Sequence, residues 1–388
     1  MPPPARAPVP QPAPLPAPAP QPIPRPRPVP APLPPVPVGD TALAVGVRSG
    51  PALPVIPAGQ AQRALEAFRI SCPSVLSRAD SSGLTQREDW RAACAAAAPA
   101  GDAEAFFRRE FALVEVGGGA AFATGYYEPE IRGCRTRRPD CAVPIYAKPA
   151  DLLDANPRTG VRGRGRVDER GDYVLYYERS QIEDGALAGR GLEIAWAADP
   201  VDLFFLQIQG SGRLRLPDGG VMRIGYAGQN GREYVAIGRP LRERGLLQPP
   251  VTMQSIRQWL AANPEPGRAL MRENRSYIFF QELTGPGPLG ALGRPVTARA
   301  SVATDPNFVP LGAPVLLQDM DNPLANGLWV AQDTGGAIRG ANRFDTFWGA
   351  GADSASISGA MQARGRAFVL LPRAAAERIA RRASPAQR

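Results

Sequence analysis

Val330-Ala331-Gln332-Asp333-Thr334-Gly335-Gly336-Ala337-Ile338-Arg339-Gly340-Ala341-Asn342-Arg343-Phe344-Asp345-Thr346-Phe347 is the stretch on which the reading of this chain turns. Its apolar start predicts a strand that delivers Asp333 to its end. The paired glycines Gly335 and Gly336 then permit backbone conformations and close approaches that a Cβ forbids. Asp345 follows, flanked by apolar residues, after Ile338 and a turn at Gly340. If that turn brings the two carboxylates together, unequal surroundings would push their pKa values apart, leaving one as an acid and one ionised. The same residues are also common turn formers, Asp and Gly alike. On the residues alone both readings stand.

Composition narrows the chemistry. The chain has 388 residues and no histidine. Ser-His-Asp and Cys-His nucleophile systems need an imidazole, as do zinc hydrolases of the H-E-x-x-H type. Proton transfer near neutral pH then falls to shifted carboxylates first of all, which points toward glycosidic-bond chemistry. No metal site and no cofactor is expected. The net charge of +9 is almost wholly arginine, Lys148 being the one lysine. The arginines are scattered and no basic-aromatic module accompanies them, which argues against a nucleic-acid partner. No apolar run reaches the roughly 18 residues that span a bilayer. The start, Met1-Pro2-Pro3-Pro4-Ala5-Arg6, lacks the apolar region of a secretory signal, so a membrane anchor would have to come from a signal outside this sequence.

Residues 1–57 are rich in Pro and Ala and read as a disordered, semi-rigid tether. Helical patterns follow to about Phe111, with Thr85-Gln86-Arg87-Glu88 in the form of a capping box. Short β-rich segments take over after Gly117-Gly118-Gly119, and a basic tail is expected over 376–388. The class is therefore mainly β with α additions. Leu203 to Gln209 reads as a strand whose alternation would put Gln207, Gln209 and Ser211 on one face. Cys72, Cys94, Cys134 and Cys141 fit two local bridges, Cys72–Cys94 and Cys134–Cys141, although sequence permits three connectivities and four buried thiols are the alternative. Bridges would imply an oxidising compartment.

Several ordered segments resemble one family. The stretch above, with Asp305 in Ala303-Thr304-Asp305-Pro306-Asn307, is similar to the 3D domain, named for three aspartates, of the membrane-bound lytic murein transglycosylase A (MltA) family. Thr124-Gly125-Tyr126-Tyr127-Glu128-Pro129, Leu206-Gln207-Ile208-Gln209-Gly210-Ser211-Gly212 and Ser276-Tyr277-Ile278-Phe279-Phe280 extend the likeness over residues 60–372. The resemblance implies a double-psi β-barrel from 58–130 and 242–375, with a smaller β domain inserted over 131–241. It implies a periplasmic location, associated with the outer membrane, and peptidoglycan glycan strands as partner.

What the resemblance implies chemically is cleavage of the β-1,4 bond between N-acetylmuramic acid and N-acetylglucosamine with formation of a 1,6-anhydro end. Asp345 corresponds to the family's catalytic acid, in a Phe-Asp or His-Phe-Asp element. Here the element is Arg343-Phe344-Asp345, which puts any role of the side chain two before the acid in doubt. Asp333 would tune Asp345, and Asp305 would support the fold. Gln207, Gln209, Ser211, Gly335, Gly336 and Tyr127 are the expected substrate contacts, while Tyr126 and Trp348 read as core. Glu128 reads as a solvated loop charge, with a second catalytic carboxylate as its alternative. The competing functions are a lysozyme-like muramidase and a non-catalytic module that binds cell-wall polysaccharide.

Overall fold

Asp333 and Asp345 both lie on strands of a sheet that closes on itself. The computed structural model describes residues 39–285 and 287–383. In chain order the strands begin with β1 (Val47–Ser49), β2 (Phe111–Val116) and β3 (Ala120–Glu128). Next come β4 (Glu130–Cys134), β5 (Val143–Tyr146), β6 (Leu153–Ala155), β7 (Arg162–Val167) and β8 (Tyr173–Leu175). They are followed by β9 (Glu193–Ala197), β10 (Ser211–Arg215), β11 (Val221–Gln229) and β12 (Ile278–Leu283). The chain finishes with β13 (Ser301–Ala303), β14 (Pro314–Gln318), β15 (Gly327–Asp333), β16 (Arg343–Ala350) and β17 (Gln362–Pro372).

β17 pairs with β14, β14 with β15, β15 with β13, β13 with β16, β16 with β3, and β3 with β17 again. The result is a ring of six strands, which β2 and then β1 extend from β17. β15 is apolar on both faces and buried along its length up to Asp333, as a strand covered on both sides should be. The helix Ala58–Val75 covers it. Gln332 ties the two together, its Nε2 donating to Ala67 O and Ser71 Oγ, both at 3.0 Å. The end of β15, and Asp333 with it, is therefore anchored to a helix.

The second lobe is a six-stranded sheet in the order β12-β11-β10-β4-β9-β5, with β6, β7 and β8 as a small sheet beside it. β12 takes this lobe to Leu283, past the expected boundary at Leu241. The helices Met253–Ala262 and Pro264–Glu273 belong to it as well, burying Leu260, Leu270 and Met271 against Phe204, Phe205 and Leu241.

Three further expectations are corrected. The tether covers less than 1–57: Ala42, Val45, Leu53 and Ile56 are buried in the core and β1 pairs with β2. Spaced apolar side chains give that Pro-containing segment something to bury; residues 1–38 lie outside the described residues. The tail likewise shrinks, because Arg373–Ala383 is a helix that buries Ala376 and Ile379, and 384–388 lie outside the described residues. The expected strand at Leu203–Gln209 is part of a helix, Pro200–Gln209. Asp199 caps it by accepting from the N–H groups of Val201 and Asp202, Pro200 opens it, and Gly210 closes it at φ 78°. In a smaller shift, the capping box is Gln86 with Asp89, on a 3-10 turn leading into the helix Trp90–Ala97.

Cys72 is bonded to Cys94 and Cys134 to Cys141. Among the described residues no helix is long and apolar enough to cross a membrane.

Candidate active site

Strand register sets the site. Ala303 on β13 pairs with Asp333 on one side and Asp345 on the other, and Asp345 pairs in turn with Thr124 on β3. Residues opposite one another on paired strands share a face. Asp333, Asp345 and Thr124 thus project from one surface of the ring, the two aspartates about two strand spacings, or roughly 10 Å, apart at Cα. They open on a cleft of about 880 Å³. Its near wall is the ring, with the loop Thr334–Arg339. Its far wall is the second lobe, with Arg179, Gln207, Gln209, Gln229 and Tyr234.

The two carboxylates are held differently. Asp333 Oδ1 accepts from the backbone N–H of Thr334 (2.8 Å) and of Ala291 (3.0 Å), and Oδ2 accepts from the Tyr126 hydroxyl (3.0 Å). Asp345 Oδ1 accepts from the Thr124 hydroxyl at 2.6 Å. Its Oδ2 has no hydrogen-bond partner among the described residues, and the Asp345 side chain lines the cleft. Burial pushes both carboxyls up to about 6. For Asp345 the Thr124 bond and the Arg343 charge oppose that rise, and the Asp333 charge adds to it. For Asp333 its three donors oppose it. Tyr126 is driven well above the ordinary phenol value by burial and by Asp333, so it stays a donor. Tyr234, from the loop after β11, lines the same cleft, and its phenol is raised by burial and then by the Asp345 charge.

Asp305 is buried and does not line the cleft. Its carboxylate accepts from Gly340 N at 2.8 Å and Asn307 N at 3.1 Å, fixing the far end of the glycine loop. Gly335 and Gly336 form the loop's cleft face. A Cβ on Gly335 would come within 2.7 Å of Ile338, whereas one on Gly336 would meet nothing.

The glutamines are not equivalent, because a helix turns them to different sides. Gln207 is 2 % exposed, and its Oε1 takes the Arg179 guanidinium at 2.6 Å. Arg179 is itself buried and also donates to Asn274 O and Ser276 O. Gln209 Oε1 accepts from Tyr127 N at 3.1 Å, leaving its amide N–H groups for the cleft. Ser211 is buried on β10 and Tyr127 lies on the other face of β3 from Thr124 and Tyr126, so neither lines the cleft. Tyr126 takes the place expected for Tyr127. Trp348 packs in the core, 5.7 Å from Trp329 between ring centroids. Glu128 is not solvated: it is 3 % exposed and held by Arg223 at 3.1 Å. Among the described residues no three His, Cys, Asp or Glu side chains group to hold a metal ion.

Sequence reasoning missed Arg179, Tyr234 and the partnership of Thr124 with Asp345. Only Thr124 carried a signal, standing two residues before Tyr126 in a segment already singled out.

Residues 122–281 match the family described as the MltA specific insert domain, and residues 300–371 match the 3D domain. A solved membrane-bound lytic murein transglycosylase from Agrobacterium tumefaciens is 32% identical, with 86% of this chain and 99% of that one covered and a TM-score of 0.75. The chain belongs to the MltA family. The 3D match begins just before β13 and ends within β17, and contains Asp305, Asp333 and Asp345. Escherichia coli MltA solved with bound chitohexaose is 26% identical, with a TM-score of 0.62 over 84% of this chain and 92% of that one. The membrane-bound lytic murein transglycosylase A of Vibrio cholerae is 35% identical over 206 residues, 50% of this chain. The chain spans 55% of the length of that relative.

Proposed function

We propose that this protein is a lytic transglycosylase that cleaves the β-1,4 bond between N-acetylmuramic acid and N-acetylglucosamine in peptidoglycan. The observation that carries the reading is the state of Asp345, a residue of the cleft lining: one oxygen held by Thr124, the other without a hydrogen-bond partner among the described residues, and a pKa pushed up to about 6 by burial. A carboxyl so placed can hold a proton at mildly acidic pH and give it to a glycosidic oxygen as the bond breaks through an oxocarbenium-like state. The Asp345 carboxylate then takes the proton of the muramyl C6 hydroxyl, whose oxygen closes on C1. A 1,6-anhydromuramyl end results, and Asp345 is protonated again. One group serves as acid and then base, so no water is consumed.

The same geometry disfavours a muramidase, which needs a second carboxylate to activate water or attack C1. Asp333 accepts three hydrogen bonds from the protein and Glu128 is committed to Arg223. We assign Asp333 to shaping the loop and tuning Asp345, and the amide of Gln209 with Gly335 and Gly336 to holding the sugar. Gln207 acts through its bond to Arg179. The closed six-strand ring is read as the double-psi barrel and the lobe of β4–β12 as the insert. Two disulfides and a glycan substrate support a periplasmic location at the outer membrane.

The test is the chemistry of the ends released from purified sacculi, read by mass spectrometry. Anhydro ends, lighter than reducing ends by one water, are expected. Reducing ends would instead establish a muramidase. Binding to sacculi with no soluble product would leave only a binding module.

A further inference from the structure

The Thr124 hydroxyl has one hydrogen to give and stands between two side chains. Arg343 Nη2 lies 3.0 Å from Thr124 Oγ1, and Oγ1 lies 2.6 Å from Asp345 Oδ1. A guanidinium only donates and does not lose its proton in proteins. The threonine oxygen therefore accepts from Arg343, and its hydrogen points to Asp345. Oδ1 is an acceptor whether Asp345 is ionised or not, because a second proton on it would face the threonine hydrogen.

Arg343 is braced for this. Its Nη1 donates to Phe344 O, and its guanidinium lies 4.8 Å over the Phe122 ring. Parallel pairing of β16 with β3 sets Arg343 beside Phe122 and Asp345 beside Thr124, so two alternate rungs of one ladder, on the same face, carry the whole arrangement.

We propose that Arg343 is a positioning residue for the acid: its bond to Thr124 fixes that hydroxyl as a donor to Asp345 Oδ1 and confines the transferable proton to Oδ2, the oxygen that faces the sugar. The residue two before the acid thus acts through threonine. The inference rests on Asp345 being the catalytic acid. The groups facing Asp345 are Arg343 on its own strand, Thr124 and Tyr126 on β3, Asp333 at the end of β15 and Tyr234 from the second lobe. Both tyrosines are held protonated by burial, which leaves Asp333 as the one neighbour that titrates in the same range. Chained hydrogen bonds polarise one another, so losing either donor weakens the carboxylate form.

The experiment titrates Asp345 by carboxyl carbon NMR and records the pH dependence of kcat on sacculi in the same variants. Thr124→Val and Arg343→Gln should each move the Asp345 midpoint and the alkaline limb of kcat upward by about one pH unit. Thr124→Ser, which keeps the hydroxyl, should leave both near wild type. The double variant Thr124→Val with Arg343→Gln should move less than the sum of the two. Fully additive shifts would mean that Arg343 acts by charge alone, and an unmoved midpoint in Arg343→Gln would remove its role; either overturns the proposal. An NMR midpoint that moves while the kcat limb stays fixed would keep the lock and instead refute Asp345 as the acid.

Discussion

At the end of β15 three donors close on Asp333, whereas in β16 a single hydroxyl meets Asp345. Both carboxyls are pushed up by burial to about the same value, so acidity does not distinguish them. Unused bonding capacity does. A carboxylate whose lone pairs are filled by backbone N–H groups shapes a loop, and one with an oxygen left over can exchange a proton with a ligand. Charge and burial are shared; the donor count is what separates the two.

The sharpest way to break this contrast is to neutralise each carboxyl in turn. Asp345→Asn keeps an oxygen for Thr124 but has no proton to give, so kcat on sacculi should fall by at least on the order of a thousandfold, with sacculus binding retained. Asp333→Asn should cost about ten- to a hundredfold in kcat, since the loop through Gly335 and Gly336 loses an anionic anchor while the acid remains. Equal losses in the two variants would erase the distinction. Gln209→Ala removes a donor from the cleft without touching either carboxyl. It should raise KM several-fold and leave kcat near wild type, in keeping with the loss of one hydrogen bond.

The smallest effect is on stability. Asp345 titrates at about 6 when folded against 3.8 for the free group, so the folded protein holds the proton through that window and the unfolded chain does not. Stability is thus greatest below the lower value and falls as pH rises through the upper one. Asp345→Asn should raise the melting temperature by a few degrees at pH 8 and have no such benefit at pH 4, as read by calorimetry. A gain that persisted at pH 4 would show that burial of the charge is not its source.

Much of the ring's chemistry was legible because it is written in one contiguous stretch. Asp333, the paired glycines and Asp345 are joined by a single loop, and an apolar run ending in Asp announces a strand end. The partners of Asp345 were not legible in the same way. Thr124 and Asp345 are 221 residues apart and meet only through parallel pairing of β3 with β16. The second lobe was harder still. Leu203–Gln209 reads as a strand to alternation, but Asp199, Pro200 and Gly210 at its ends decide for a helix, and the glutamines turn with it. Glu128 looked solvated because nothing near it in sequence foretells Arg223, which arrives from β11.

The closure of the ring has a bearing on biosynthesis. Strand β17 pairs with β2, β3 and β14, and it follows both Asp333 and Asp345 in the sequence. Gln362 on β17 pairs with Thr124, the residue that donates to Asp345. Contacts so distant along the chain form late and close large loops at an entropic cost. An unfinished polypeptide therefore has the aspartates but no assembled site. The cleft is not assembled until β17 has docked, and a chain truncated before Gln362 should lack the proposed activity as well as being unstable.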